Sequence, residues 1–264
     1  MLTASHLPKI SIVIPSYNQG SFIAATIRSV LDQNYSQLEL IVIDGGSTDQ
    51  TLQVLKEFGN RIQWVSEKDA GQSDAINKGL RRATGEIIGY LNSDDLLLPG
   101  SLNRVANFFQ THPDNQWVTG LCRIVNEKGV EINKPITMYK NFLLHHYRHW
   151  TLLVTDYISQ MSTFWRADVM QRIGLYSVSE HLVMDYDYWL RLSVFGPPGI
   201  IDDYLSCFRI HSSSKSVNRT KQQFHEMYLV AGRHTNNRFI LFFNLFHGKL
   251  TLLVYRFLTL LGRR

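Results

Sequence analysis

The chain has 264 residues, 44% of them apolar and 19% charged, with 17 Gly and 7 Pro. That is enough to bury a core without metal or disulfide staples, and it excludes disordered, collagenous and low-complexity proteins. The net charge of +5 is unevenly spread, at −3 over residues 1–214 and +8 over residues 215–264, where Glu226 is the single acid. The two cysteines, Cys122 and Cys207, form no C-x-x-C pair, so no zinc ribbon or disulfide framework is expected and a reducing compartment fits best. The N-terminal stretch lacks a basic region followed by an unbroken apolar run, since Pro15 interrupts the first one; the reading is a cytosolic start without a signal peptide.

Four short apolar runs open the sequence: KISIVIP from Lys9, LELIVID from Leu38, RIQWVSE from Arg61 and EIIGYLN from Glu86. Between them lie SFIAATIRSVLDQ, TDQTLQVLKEFG and GQSDAINKGLRRATG, whose apolar residues recur at three and four and whose cap candidates are Ser21, Thr48 or Asp49, and Ser73. Strands rich in Ile and Val on both faces, alternating with helices, predict a doubly wound α/β fold with a mostly parallel sheet covered on both faces. A further helix is expected near Pro99, then a hairpin of QWVTGLCRIVNEKG and VEINKP turning at Lys128-Gly129. Residues 137–160 are rich in aromatics and His without a clean period and read as a lid or substrate-facing insertion. Regularity returns at STFWRADVMQRIG and in a helix around HLVMDYDYWLRLSVFG.

Ligands of open α/β sheets bind beyond the carboxyl ends of the strands. Here those ends carry Pro15, Tyr17 and Asn18, then Asp44 with Gly45, Gly46, Ser47 and Thr48, then Glu67 and Asp69, then Asn92, Asp94 and Asp95. Adjacent carboxylates repel unless a cation or ligand relieves them, and hard oxygen donors with a phosphate ligand select Mg²⁺ or Mn²⁺. A nucleoside diphosphate is the ligand type this suggests. No GxGxxG follows the first strand and no GxxxxGK[ST] occurs, which disfavours dinucleotide and P-loop enzymes.

The blocks ISIVIPSYNQGSFIAATIRSVLDQNYSQLELIVIDGGSTDQT, SEKDAGQSDAINKGLRRATGEIIGYLNSDDLLLPGSL, QMSTFWRADVMQRIGLYS with MDYDYWLRL, and FRIHSSSKS resemble the family-2 glycosyltransferases of GT-A fold over roughly residues 9–216. The resemblance implies a nucleotide-diphosphate sugar donor, with Tyr17 and Asp44 holding the base, Pro15 shaping the turn, Asn18 beside them and Asp69 in the same nucleotide site. It maps the DxD-like element onto Asn92, Asp94 and Asp95, with Asp94 towards ribose and diphosphate and Asp95 as metal ligand for Mn²⁺ or Mg²⁺. Asparagine at the first position removes one charge from that element. Asp185 matches the catalytic base of an inverting displacement. His211 matches a histidine that reaches the diphosphate or its metal, with Lys215 assisting.

Asp187, two residues from Asp185 on the same helix, diverges from it by about 200°. With Arg191 at i+4 it reads as the structural acid. His145 and His149 are four apart but lack a third zinc ligand or an HExxH glutamate. Trp150 and Tyr147 could stack on a sugar face or pack in the core. In the tail, RFILFFNLFHGKLTLLVYRFLTLLGRR, basic residues break the apolar runs below bilayer-spanning length, which suits helices lying at a membrane surface; the alternative is a helix packing back on the domain. The expected organisation is a catalytic domain over residues 1–215 and a basic apolar helical extension over 216–264, peripheral on the cytoplasmic face of the membrane. The acceptor is a hydroxyl of a glycan or lipid-linked saccharide in polysaccharide biosynthesis. Two alternatives stand beside this, a nucleotidyltransferase making nucleotide sugars and a non-catalytic carbohydrate- or lipid-surface-binding module. Nucleic acid is not an expected partner, because the basic charge sits on an apolar tail.

Overall fold

The four apolar runs form β1 (Ile10–Ser16), β2 (Leu38–Asp44), β3 (Gln63–Ser66) and β4 (Ile87–Tyr90) in the computed structural model, which describes residues 7–212, 214 and 219–260. β1 is buried from end to end, with Ile10, Ile12 and Ile14 in one core cluster and Val13 in the other. Alternate side chains therefore feed two cores, as a strand covered on both faces requires. The intervening helices are α1 (Ile23–Leu31), α2 (Thr51–Glu57) and α3 (Gln72–Arg82). Of the cap candidates, Asp49 holds the start of α2 through Thr51 N and Oγ1 at 2.9 and 2.5 Å. Ser21 does not cap α1, which starts after Phe22, and Ser73 lies inside α3, where its hydroxyl faces Glu180 O and Met184 Sδ instead.

Beyond β4 the chain adds β5 (Leu96–Leu97), α4 (Ser101–Thr111), β6 (Trp117–Asn126), β7 (Thr163–Arg166) and β8 (Gly199–Ile210). The eight-stranded sheet runs β3-β2-β1-β4-β7-β6-β8-β5. β1 to β4 pair in parallel, β7 is antiparallel to β4 and β6, and β5 is antiparallel to β8, so the sheet is mixed. The expected hairpin shrinks to one antiparallel bridge, Val125–Glu131. Pro135 opens α5 (Lys134–His145) too soon after it for a second arm to form, and β6 takes β7 and β8 as partners. The region read as an irregular insertion is mostly helical, being α5 and α6 (His149–Val154).

α7 (Ala167–Ile173) follows β7, and α8 (Met184–Leu192) packs its Tyr186, Tyr188 and Trp189 into a core shared with Trp117 and Trp165. α9 (Thr220–His234) and α10 (Arg238–Leu260) complete the chain. Met227, Val230 and Ala231 of α9 belong to that same core, and Arg233 reaches Glu180 at 2.6 Å. The extension is thus built onto the α/β unit. No helix among the described residues is long and apolar enough to cross a membrane.

Candidate active site

The carboxyl ends of β1 and β2 are stitched together by their own polar groups. Asn18, at φ +52°, donates its N–H to Ser47 Oγ at 2.7 Å and accepts from Thr48 N–H at 2.9 Å. Asp44, the last residue of β2, is fully buried. Its Oδ2 accepts from the N–H groups of Gly46 and Ser47 at 3.1 and 2.9 Å and from Ser66 Oγ at 2.6 Å, and its Oδ1 accepts from Ser47 Oγ at 2.5 Å. These donors enclose Asp44 and make it the organiser of the loop after β2, behind the residues that face solvent. Of the other residues expected at the nucleotide, Tyr17 is 60% exposed and Asp69 is half-buried against Gly45. A side chain at Gly45 would collide with the Asp69 carboxylate, so the glycine admits that acid to the rim.

At the end of β4 the two acids have separate surroundings. Asp95 is fully buried; its Oδ1 accepts from Arg209 N–H at 2.9 Å and its Oδ2 from Asn92 Nδ2 at 3.1 Å. Burial and then the neighbouring Asp94 charge drive its carboxyl well above the usual range, against the pull of those hydrogen bonds. Asp94 is the acid open to the rim, and its Oδ2 lies 2.9 Å from His211 Nε2. Asp95, expected from sequence as the metal ligand, is thus the enclosed acid of the pair, and Asp94 beside His211 is the one facing outward. Phe22 stacks on the His211 ring at 4.5 Å, and the buried Arg209 guanidinium lies 5.4 Å from its centroid. Lys215 lies outside the described residues.

Asn92 has three polar neighbours: Oδ1 accepts from Gln72 Nε2 at 2.7 Å, while Nδ2 faces Asp95 and also Gln160 Oε1 at 3.3 Å. Aspartate here would set a further charge against Asp95 and could not donate, so the missing charge of the DxD-like element has a physical reason. Gln160 Nε2 donates to Tyr90 O at 2.5 Å, and the Tyr90 hydroxyl donates to Asp185 Oδ1. Asp185, on the first turn of α8, is thus connected to Asp95 through Tyr90, Gln160 and Asn92. Burial pushes its carboxyl up to about 7. The Tyr90 hydrogen bond and Lys140 oppose that rise, and the Asp156 charge adds to it.

Asp187 faces away, bonded to Arg191 Nε at 2.9 Å, with His234 Nε2 at 3.4 Å and Arg233 at 3.8 Å. Burial acts against its charge, yet His234 and Arg191 hold it below the usual range. His145 bonds Asp202 and His149 bonds Ser193, and no cluster of three potential metal ligands occurs among the described residues. Tyr147 packs edge-on against Trp117 in the core, whereas Trp150 is exposed. Sequence reasoning missed Tyr90, Gln160, Phe22 and Arg209. Tyr90, the last residue of β4 and two before Asn92, was the only one whose position signalled a site.

The family model described as Glycosyl transferase family 2 matches residues 11–172. The chain belongs to this family. It is 28% identical over 228 residues to chondroitin synthase of Escherichia coli, covering 82% of this chain and 31% of that enzyme. It is 29% identical over 206 residues to a PGL/p-HBAD biosynthesis glycosyltransferase of Mycobacterium bovis, covering 75% and 74%. The chain spans about a third of the chondroitin synthase and 37% of a similar Rickettsia felis glycosyltransferase. Among solved structures, S. aureus TarS 1–349 with UDP-GlcNAc superposes at TM-score 0.67 and 18% identity, over 87% of this chain and 67% of that one. A Pyrobaculum calidifontis mannosyltransferase with GDP-Man and Mn²⁺ gives 0.70 and 18%, over 93% and 70%. These neighbours share the GT-A-like fold. The family and the M. bovis relative are both described as glycosyltransferases, which favours that reading over the nucleotidyltransferase and binding-module alternatives.

Proposed function

We propose that the chain is a nucleotide-sugar-dependent glycosyltransferase that inverts the anomeric centre, moving a sugar from a nucleotide diphosphate to a hydroxyl of a glycan or lipid-linked saccharide in polysaccharide biosynthesis. The observation that carries the reading is the chain of contacts Asp95–Asn92–Gln160–Tyr90–Asp185, which links the enclosed neighbour of the donor-facing Asp94 with a carboxyl whose affinity for protons matches neutral pH. Asp185 accepts the acceptor hydroxyl's proton as its oxygen attacks the anomeric carbon. The bond to the diphosphate breaks on the opposite side, and its electron pair leaves with the phosphate oxygen. Tyr90, whose hydroxyl is kept neutral chiefly by its own burial and then by the Asp185 charge, orients Asp185 by donating to it.

Tyr17 and Asp69 form the open nucleotide rim, with Pro15, Asn18 and Asp44 setting its loops. Asp94 and His211 supply one carboxylate oxygen and one imidazole nitrogen 2.9 Å apart, a donor set that fits Mn²⁺ and less closely Mg²⁺, with diphosphate oxygens and water as the remaining ligands. Bound there, the ion would neutralise charge on the departing diphosphate. Asp95 lies behind this pair and holds the backbone of Arg209, two residues before His211. α9 and α10, with their excess of basic over acidic residues, suit a peripheral position on the cytoplasmic face of a membrane.

Incubating EDTA-treated protein with UDP-, GDP- and dTDP-sugars, with and without Mn²⁺, and reading the product by NMR tests both parts. Transfer restored by Mn²⁺ with reversed anomeric configuration is the expected outcome; retained configuration, or full activity in EDTA, overturns the mechanism.

A further inference from the structure

An amphipathic helix on a soluble domain normally turns its apolar stripe inward. α10 turns most of its large apolar side chains outward. Phe239, Phe242, Phe246, Leu250 and Leu253, which share one face of the helix, point outward, and Phe239 is 79% exposed. Its docked side holds Ile240 and Leu241, partly buried against the core, together with polar groups: Asn244 is buried and donates to Leu153 O at 2.9 Å, and His247 lies 3.0 Å from the Tyr139 hydroxyl of α5. α5 buries Leu144 in the core but also leaves apolar side chains outward. Met138 and Phe142, one turn apart, are 70% and 59% exposed, and the Tyr139 contact holds this helix beside α10.

Neither stretch carries an acid: residues 132–155 and 227–264 contain no Asp or Glu, while Lys134, Arg148, Arg238 and Lys249 are exposed around the apolar residues. A second copy of the chain laid on this face would set those cations against one another, since a two-fold contact pairs a patch with itself. An anionic lipid surface meets both the charge and the apolar area.

We propose that α5 and α10 together form one platform that inserts into an anionic bilayer surface, so that the helix supplying Met138 and Phe142 to lipid also borders the acceptor side of the active site. Lys140, on the opposite side of α5 from Met138, acts on the charges of both Asp185 and Asp156. The acceptor hydroxyl therefore approaches Asp185 next to the lipid, as a saccharide carried on a lipid requires. This deepens the membrane reading given above and rests on its placement of the acceptor at Asp185.

The test is co-sedimentation of the full chain with vesicles of phosphatidylcholine alone or mixed three to one with phosphatidylglycerol, with circular dichroism to check folding. Wild type is expected to partition to the anionic vesicles, and the Met138→Glu/Phe142→Glu double variant about tenfold less. A Met138→Cys protein labelled with an environment-sensitive dye is expected to shift to the blue on adding those vesicles, whereas a label at Glu57→Cys on α2 stays unchanged; both native cysteines are buried. Wild-type partitioning that the double variant leaves intact, or an unshifted Met138→Cys label, overturns the role of α5. A wild type that stays in solution and dimerises instead overturns the lipid assignment altogether. Binding is read without turnover, so neither result bears on Asp185 as the base.

Discussion

Burial holds the Asp185 carboxyl up to about 7, and two consequences follow from the sign of that shift. Transfer needs the deprotonated form, so turnover is expected to rise with pH through about 7. The raised value also means that the folded state prefers the neutral acid. The stability contribution is complete below the unfolded value near 4 and is lost as pH rises through about 7. Asp185→Asn is therefore expected to lower turnover by about 10²–10⁴-fold. The same variant should melt above wild type at pH 8 and level with it at pH 4, which calorimetry at the two pH values checks. Tyr90→Phe removes a donor that favours the charged carboxylate, so the acidic limb of its pH–rate profile is expected to move upward; an unmoved limb denies Tyr90 its orienting role. At this scale the sequence exposed which residue types gather at the strand ends but not their orientation. Asp94 and Asp95 are adjacent, and only the packing of Arg209 and Asn92 decides which of them is enclosed. Gln160 gave no signal, because its function comes from a contact 70 residues away in sequence.

The elements that were legible are those whose period matches their burial. β1 and β2 are apolar on both faces because both faces are covered, and α3 carries its apolar residues where β1 and β2 receive them. α5 resisted for the opposite reason: its exposed side holds Met138, Tyr139 and Phe142, so the apolar pattern carries no single inward face. β5 is two residues long and β8 mixes Asp202, Asp203 and Arg209 into its run, which left neither with a clean alternation. Glu39, in an otherwise apolar strand, ties the amino ends of the parallel strands together. It accepts from Lys9 Nζ at 2.9 Å, Ser11 Oγ at 2.5 Å and Thr84 N–H at 2.7 Å. Burial alone would raise its carboxyl, but these bonds bring it down to about 2. That contribution is present above its unfolded value and is lost as pH falls through about 2. Glu39→Gln is expected to cost about 1–3 kcal/mol at pH 7 by urea unfolding, with the gap to wild type closing below pH 4. A constant gap across that range would show that the charge is not what the bonds hold.

Across the molecule, the switch from parallel to antiparallel pairing beyond β4 brings residues distant in sequence to one rim: Tyr17 and Asp69 at one end, Asp94 with His211 between, and Asp185 behind Tyr90. α9 fastens to α8 through Arg233 and His234 on Asp187, so the basic extension is joined to the helix that carries Asp185. The measurement that bears most directly on this arrangement compares Asp185→Asn with wild type in donor binding and transfer, using whichever nucleotide sugar the panel selects. Donor affinity unchanged within about threefold, with turnover lost by at least about 10²-fold, is the expected result. Turnover close to wild type, or donor affinity and turnover falling together, would contradict a base that acts on the acceptor alone.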